Sequence, residues 1–149
     1  MWHIKRFSEL TTDELYALLR IRSEVFIVEQ NAVYQDLDGD DQAAIHLWKT
    51  EGGRIISMAR VTPAGKHLPE NSIGRIITTE RGKGLGLELV HKALEVAQKE
   101  FGAERIMIHA QLQAKGFYEK VGFVAQSEPY MHEGLQHLDM TYTYENADE

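Results

Sequence analysis

The order in which strand-like and helical segments follow one another is the feature that most limits the folds open to this chain. Its hydrophobic pattern predicts a strand, a helix, three consecutive strands, a second helix, a strand, a short helix and two last strands. A doubly wound sheet requires a helix between successive parallel strands, and the three consecutive strands do not provide one. The pattern therefore predicts an α/β fold of mixed α+β type, in which helices cover the faces of a mixed sheet.

The predicted elements have ordinary boundary signals. The first helix, over residues 12–29, begins with a capping box in which Thr11 precedes Glu14 by three residues. A second helix covers 85–101 and a short third helix covers 113–121. The apolar face of the second helix consists of Leu87, Val90, Leu94, Ala97 and Phe101. The predicted strands cover 2–7, 45–49, 54–62, 73–79, 105–110, 123–127 and 137–144, and residues 30–43 form a polar loop or a short helix.

Composition excludes several classes of protein. The 149 residues have the length of one domain, residues 1–149, with a short polar tail at 146–149. The 23 acidic and 16 basic residues give a net charge of −7, so a basic nucleic-acid footprint is not expected. The absence of cysteine excludes a disulfide scaffold and a cysteine nucleophile, and it is consistent with a cytoplasmic location. No apolar run is long enough to span a membrane.

A glycine-rich segment joins a predicted strand to the second helix, with the sequence Arg81-Gly82-Lys83-Gly84-Leu85-Gly86. Glycines permit a tight turn, and the start of a helix offers free N–H groups and a partial positive charge to a phosphate or pyrophosphate. The segment lacks the ending of a P-loop and the spacing of a dinucleotide fingerprint. It predicts either an anion-binding turn or a simple glycine turn with a solvated lysine and arginine.

A second segment, from Gln111 to Phe123, carries a tyrosine near the end of the short third helix. A lone tyrosine at such a position usually serves packing. A phenol placed beside a leaving group can also act as a general acid, so Tyr118 has both interpretations.

Together these two segments resemble the GNAT acyltransferases, the GCN-five-related N-acetyltransferases. Arg81-x-x-Gly84-x-Gly86 matches the Q/R-x-x-G-x-G/A motif of that family, and Ala114, Tyr118 and Gly122-Phe123 have the spacing of its second motif. This resemblance covers about residues 54–125. A further set of residues is similar to the ElaA-type branch of the family and extends the resemblance to nearly the whole chain. That set is Arg22, Val25-Phe26, Val28 to Asn31, Tyr34 to Asp41, Ile73-Gly74-Arg75, Ala110-Gln111 and His137.

The resemblance implies the acyl-CoA N-acyltransferase fold, a central mixed and mostly antiparallel sheet with flanking helices. Acetyl-CoA would bind where two neighbouring parallel strands splay apart, with its pantetheine arm bonded to the main chain like an added strand. Its pyrophosphate would lie on the N–H groups of Gly82 to Gly86. The residues implied in donor binding are Ile76, Ile77, Thr78, Arg81, Gly82, Lys83, Gly84, Leu85, Gly86, Gln111, Ala114 and Phe117.

The implied reaction is direct attack of a primary amine on the thioester within a ternary complex, with release of CoA. Tyr118 would protonate the departing thiolate, and a main-chain N–H near Ile76 or Ile77 would stabilise the oxyanion. No metal is required. The acceptor would be a small-molecule or peptide amine, and a homodimer is plausible for the family. The residues proposed for the acceptor wall are Arg22, Glu29, Gln30, Tyr34 and His137.

Several residues keep two interpretations. Arg22 and Glu29 share a face of the predicted first helix, where a charged side chain forms a buried ion pair or lines a pocket. Asp36, Asp38 and Asp40 alternate like the start of a calcium loop, but the glycine and glutamate spacing is wrong, so a polar loop is expected. His109 lies on a central strand beside the expected cleft, as a core histidine or as a base.

Two alternative functions remain open from the sequence. The chain could be a non-catalytic acyl-CoA-binding or regulatory module on the same fold. It could also resemble the acyl-homoserine-lactone synthases, which share the fold and use S-adenosylmethionine, because of the Arg22-x-x-Val25-Phe26 pattern.

Overall fold

A computed structural model describes residues 1–145 as an eight-stranded sheet flanked by helices. The predicted polar tail at 146–149 lies outside the described residues. The strands are β1 (Trp2–Arg6), β2 (Ile45–Glu51), β3 (Arg54–Thr62), β4 (Asn71–Thr78), β5 (Arg105–Gln111), β6 (Val124–Ala125), β7 (Tyr130–His132) and β8 (Leu135–Thr143). Their order is β1-β2-β3-β4-β5-β8-β6, with β7 paired to β8. All neighbours are antiparallel except β4 and β5, which confirms the predicted mixed, mostly antiparallel sheet.

Three α-helices cover the sheet: α1 (Thr12–Arg22), α2 (Leu85–Phe101) and α3 (Lys115–Val121). The predicted capping box is confirmed, because Glu14 N donates to Thr11 Oγ1 at 3.1 Å and Thr11 N donates to Glu14 Oε1 at 2.9 Å. Gly102 terminates helix α2, because its φ of +61° turns the chain so that the Ala103 N–H donates to the Ala97 carbonyl at 3.3 Å.

The two faces of the sheet have different cores. Helix α2 packs on one face over the larger apolar cluster, which includes Leu47, Ala59 and Ile106. Helix α1 packs on the other face through Leu18, against Trp48, Met58 and Ile77. The buried residues of α2 are Leu89, Val90, Ala93, Leu94, Val96 and Ala97. Leu87, predicted on this face, is 45% exposed, because the helical repeat places it at the edge of the arc that the six buried positions span.

The single helix predicted over 12–29 is wrong in its second half. The α-helix ends at Arg22, and Ser23–Glu29 is a π-helix. Hydrogen bonds in a π-helix join residues five apart, so its turns are wider than those of an α-helix. Hydrophobic spacing identifies a helical segment but does not distinguish these two hydrogen-bond patterns.

The last predicted strands also differ from the structure. The strand predicted over 123–127 is reduced to Val124–Ala125, and the sequence prediction missed Tyr130–His132. Pro129 lies between the two strands and has no N–H for a ladder bond, which explains the interruption. At the N-terminus, Phe7 leaves the strand for a 3-10 turn over Phe7–Glu9, closed by the Glu9 side chain on the Arg6 N–H. No helix within residues 1–145 combines the length and apolar character that crossing a bilayer requires.

Candidate active site

A cleft opens between β4 and β5 because these parallel strands are paired only at their starts. The register joins Asn71 to Ile106 and Ser72 to Met107, and the strands then diverge. The cavity between them measures about 590 Å³ and is lined by both strands. Main-chain groups along the facing edges of β4 and β5 are therefore open to a ligand that runs between the strands.

A β-bulge in β4 lies at the centre of this cleft. Met58 faces Ile77 and Arg60 faces Gly74, so two residues of β4, Arg75 and Ile76, stand opposite one residue of β3. Arg75 has a φ of +52°, a left-handed conformation that costs a non-glycine residue on the order of 1–2 kcal/mol. Such strain persists only where other contacts hold it.

Those contacts come from a buried cluster of charged side chains. Arg75 Nε donates to Asp36 Oδ1 at 2.7 Å, and its Nη2 donates to the Asp36 carbonyl at 2.9 Å. Asp36 also accepts from Arg22 Nε at 2.9 Å through its other oxygen. The full cluster consists of Arg22, Arg60, Arg75, Asp36, Asp38 and Asp41. It connects α1, the loop after the π-helix, β3 and the bulge of β4.

The cluster corrects two expectations from the sequence. Arg22 is 1% exposed, pairs with Asp36 and Asp41, and does not line the cleft, so the buried ion-pair interpretation is confirmed. Residues 36–41 are more than a solvated polar loop, because Asp36 and Asp41 are themselves buried. Burial raises the pKa of Asp41, but the hydrogen bonds and charges of Arg22 and Arg60 outweigh burial and hold that pKa below its ordinary value.

The glycine segment forms the turn from β4 into α2. Gly82 and Gly84 have φ angles of +76° and +72°, and Gly84 is the residue that precedes the first turn of α2. Arg81 lines the cleft, whereas Lys83 pairs with Glu80 at the surface. Leu85 and Gly86 begin the helix, and the Gly86 Cα faces the Phe117 ring. The free N–H groups of the start of α2 therefore follow directly after Arg81 in the chain, although residues 82–86 do not themselves line the cavity.

Tyr118 lies on α3 at the cleft wall, together with Gln111 and Ala114. Its ring makes edge contacts with Phe117 and Phe123, with centroids 5.1 and 5.5 Å away. Burial raises the pKa of the Tyr118 hydroxyl to about 12, so the phenol keeps its proton at neutral pH. Ile76, Ile77 and Thr78, predicted as donor-binding residues, line the same cavity from β4.

The residues predicted for the acceptor wall separate into two groups. Gln30, Tyr34 and His137 line the cavity. Glu29 is exposed and does not line the cavity. The π-helix instead directs Val25 and Phe26 into the cavity wall.

The sequence analysis missed most of the residues that line one end of the cleft. His67, His109, His132 and His137 all line it, in sequence regions that are 23 or more residues apart except for the last pair. His132 belongs to β7, a strand that the sequence prediction missed, so its place in the cleft had no local signal. The alternation of β5, which buries Ile106, Ile108 and Ala110 on the α2 face, was the signal that His109 points to the other face.

Asp38, Asp40 and His67 are the described side chains that could jointly hold a metal ion, with ligand atoms within 4.8 Å of one another. Both Asp38 oxygens already accept from Arg60, at 2.9 and 2.6 Å. The adjacent guanidinium charge opposes a cation there. The site chemistry therefore fits ion pairing better than metal binding, and the predicted independence from metal stays a prediction.

Comparisons with known proteins agree with this geometry. A family model described as an acetyltransferase (GNAT) domain matches residues 9–144. Protein ElaA of Escherichia coli (strain K12) is 35% identical over 143 residues, which are 93% of this chain and 94% of ElaA. The crystal structure of ElaA matches with a TM-score of 0.88, covering 95% of this chain and 99% of that chain.

Two further solved structures are informative. An acyl-CoA N-acyltransferase from Pseudomonas aeruginosa has a TM-score of 0.88 at 33% identity and covers 96% of this chain and 99% of its own. A CoA-dependent acyl-homoserine lactone synthase, BjaI, has a TM-score of 0.77 at 18% identity, covering 96% of this chain and 82% of its own. At that identity the second likeness shows the shared fold alone.

Proposed function

The chain belongs to the GNAT acetyltransferase family, and from this premise we propose that it transfers an acetyl group from acetyl-CoA to a primary amine. Membership of this family makes the chain an acyltransferase. What we propose is the acetyl donor, the amine acceptor and the mechanism. We also infer that residues 1–149 act as one catalytic domain and that the reaction passes through a ternary complex.

The observation that carries the proposal is the combination of three features in one cleft. Unpaired strand edges, Arg81 and a protonated phenol all border the same 590 Å³ cavity, and the glycine turn into α2 follows directly after Arg81. An extended pantetheine arm can form hydrogen bonds with the strand edges, and a pyrophosphate can accept from the N–H groups of the helix start. A departing thiolate can take a proton from the phenol. Arg81 adds positive charge at the cavity wall next to the glycine turn.

The bulge of β4 gives the acetyl group a specific place. At a bulge the ladder is locally disrupted, so the main-chain N–H groups of Arg75 and Ile76, which come just before Ile77, belong to residues without a paired partner on β3. In our proposal one of them donates to the carbonyl oxygen of the thioester and stabilises the oxyanion of the tetrahedral intermediate. Removing one such donor in other acyl-transfer enzymes costs about 10²–10³ in kcat.

Tyr118 then assists departure of the leaving group. The amine nitrogen forms a bond to the carbonyl carbon, the carbon–sulfur bond breaks, and the thiolate takes the Tyr118 proton. The raised pKa of Tyr118 keeps that proton available across the neutral and mildly alkaline range. Solvent returns a proton to the phenolate.

The test is release of free thiol from acetyl-CoA in the presence of a panel of amines. We expect thiol release that depends on both substrates, and N-acetylated amine detected by mass spectrometry in equal amount. At a concentration of 100 times the dissociation constant, acetyl-CoA or CoA should stabilise the folded protein by about 2.7 kcal/mol and so raise its melting temperature. NAD should not raise the melting temperature.

The same experiment separates the alternatives. Stabilisation by CoA without thiol release for any amine would favour a non-catalytic acyl-CoA-binding module. Acyl transfer to S-adenosylmethionine, with no transfer to simple amines, would favour chemistry like that of the homoserine-lactone synthases. Absence of both binding and turnover would contradict the proposed function.

A further inference from the structure

The end of the cleft opposite α3 is walled by imidazole rings. Strand alternation places His109 of β5 on the sheet face that α2 does not cover, and it places His137 and Asp139 of β8 on that same face. The His109 ring centroid lies 6.4 Å from that of His67 and 6.2 Å from that of His132. Tyr118, by contrast, packs with the cluster on the α2 face. The splayed gap between β4 and β5 connects the two faces.

His109 has a carboxylate partner on the neighbouring strand. Its Nε2 lies 3.4 Å from Asp139 Oδ1, and the two residues are directly opposite each other on paired strands. The Tyr130 hydroxyl donates to the same Oδ1 at 2.6 Å and fixes that carboxylate. Because Nε2 faces Asp139, Nδ1 is the ring nitrogen left to accept a proton.

The other histidines are less suited to hold a proton. His67 Nδ1 lies 2.9 Å from Asp40 Oδ2, but His67 belongs to the loop between β3 and β4, and strands position reactive groups better than loops do. His137 Nδ1 donates to the Leu135 carbonyl at 3.0 Å, and no described carboxylate forms an ion pair with it. A base that becomes an imidazolium gains from a fixed carboxylate beside it.

We propose that His109 is the general base that deprotonates the acceptor amine, with Asp139 and Tyr130 as positioning residues. This inference rests on the proposed function and assigns its acceptor as an alkyl ammonium, the protonated form that a primary alkyl amine has at neutral pH. The end of the cleft lined by His67, His109, His132 and His137 is then the acceptor pocket. The base works from one face of the sheet and Tyr118 works from the other.

The protons balance in this scheme. An ammonium nitrogen carries three protons and the product amide nitrogen carries one. One of the two lost protons passes to His109 Nδ1 before attack and then to solvent. The second leaves the nitrogen after the C–N bond forms and is balanced, through the Tyr118 hydroxyl and solvent, by the proton on the CoA sulfur.

The surroundings of His109 favour its neutral form. Burial lowers its pKa below 6.5, Asp139 opposes this shift, and the three neighbouring histidines lower the pKa further. The titratable groups that face it are Asp139 and His137 on β8, Tyr130 and His132 on β7, and His67 in the loop before β4. The His109 ring is therefore largely unprotonated at neutral pH and can accept a proton.

The test compares His109→Gln with wild-type enzyme on two acceptors. For an alkyl amine near neutral pH we expect kcat/KM to fall by about 10²-fold or more. For an aromatic amine, which is already neutral, the loss should be smaller by at least about tenfold, because no proton has to be removed before attack. The wild-type kcat/KM for the alkyl amine should decline as pH falls through the lowered pKa of His109, and His109→Gln should lack that decline.

Three further variants locate the effect. His91→Gln, on the exposed face of α2, should match wild type. Asp139→Asn should lower the rate and move the acidic decline to lower pH, because Asp139 raises the pKa of His109. An equal loss on both acceptors in His109→Gln would overturn the proposal, and so would loss of the acidic decline in His67→Gln but not in His109→Gln. A wild-type enzyme without turnover on any amine would instead refute the proposed function itself.

Discussion

Replacing Tyr118 with phenylalanine should lower kcat for acetyl transfer by about 10²–10³-fold while the dissociation constant for CoA changes little. The substitution removes one hydroxyl from the cleft wall and leaves the ring in place between Phe117 and Phe123. Ground-state binding depends on the strand edges and the glycine turn, so the loss should fall on kcat. Steady-state rates and calorimetric titration of CoA measure the two quantities separately.

Tyr142→Phe is the matched control for this variant. Tyr142 belongs to the same aromatic group, with its ring centroid 5.5 Å from that of Phe123, but it does not line the cleft. It should keep kcat within about twofold, because a hydroxyl outside the cleft cannot reach the leaving group. Equal rates for wild type, Tyr118→Phe and Tyr142→Phe would show that the thiolate departs without help from Tyr118.

The second large effect is expected on stability. Asp41→Ala should lower the free energy of unfolding by about 3–5 kcal/mol, because it leaves two buried guanidinium groups without a shared carboxylate. Asp41 Oδ1 accepts from Arg22 Nη1 at 2.7 Å and from Arg60 Nη1 at 2.9 Å, and both arginines are 1% exposed. For a chain of this length the melting temperature should fall by roughly 10 °C. Thermal and urea unfolding measure the change.

A surface ion pair provides the control for removing a carboxylate that is not buried. Glu95 lies 3.4 Å from Lys92 on α2, and its side chain is 65% exposed. Glu95→Ala should cost less than about 1 kcal/mol, because exposed pairs are screened by solvent. A similar, small cost for Asp41→Ala and Glu95→Ala would contradict the account of the buried cluster.

The buried cluster also sets a pH dependence of stability. The folded pKa of Asp41 lies below the unfolded value near 3.8, so the unfolded chain binds the proton more readily. The contribution of Asp41 is therefore complete above pH about 4 and is lost as pH falls through the folded pKa. Asp38 has a lowered pKa for the same reason, because Arg60 and Arg75 outweigh its burial. Asp41→Ala should show a weaker loss of stability on acidification than wild type.

Local patterns predicted the elements that carry the proposed donor half of the cleft. The spacing of Arg81, Gly84 and Gly86 needs only a short run of chain, and the structure gives it the expected strand-to-helix turn. Tyr118 is likewise defined by a short helix and the glycine that follows it. Such features are readable because the sequence neighbours of each residue determine its backbone conformation.

Long-range pairing explains what the sequence did not reveal. Arg22 and Asp36 are 14 residues apart, and Arg75 and Asp36 are 39 apart. Nothing in the local pattern of either segment predicts which charge meets which. The same reason applies to the left-handed Arg75, because a non-glycine residue adopts that conformation only when the surrounding fold imposes it.

The end of the cleft proposed for the acceptor includes β7, a strand that the hydrophobic pattern does not predict. Because Pro129 interrupts the pattern and β6 is short, the sequence gives no strand signal for β7. Strand β7 carries Tyr130 and His132, whose rings contact that of His109. From the sequence, His109 keeps both interpretations, as a core histidine or as a base, because its partner Asp139 lies 30 residues away on β8. The pairing of β7 with β8 brings the Tyr130 hydroxyl to Asp139, and the proposal for His109 depends on this contact.

The most direct test of the central claim is a crystal structure of the protein grown with CoA. We expect the pantetheine arm between β4 and β5, hydrogen-bonded to main-chain groups of Ile76 to Thr78, with the pyrophosphate on the N–H groups of Gly82 to Gly86. The CoA sulfur should lie within hydrogen-bond distance of the Tyr118 hydroxyl. CoA bound elsewhere, with the strands still open and empty, would contradict the assignment of this cleft as the site of acyl transfer.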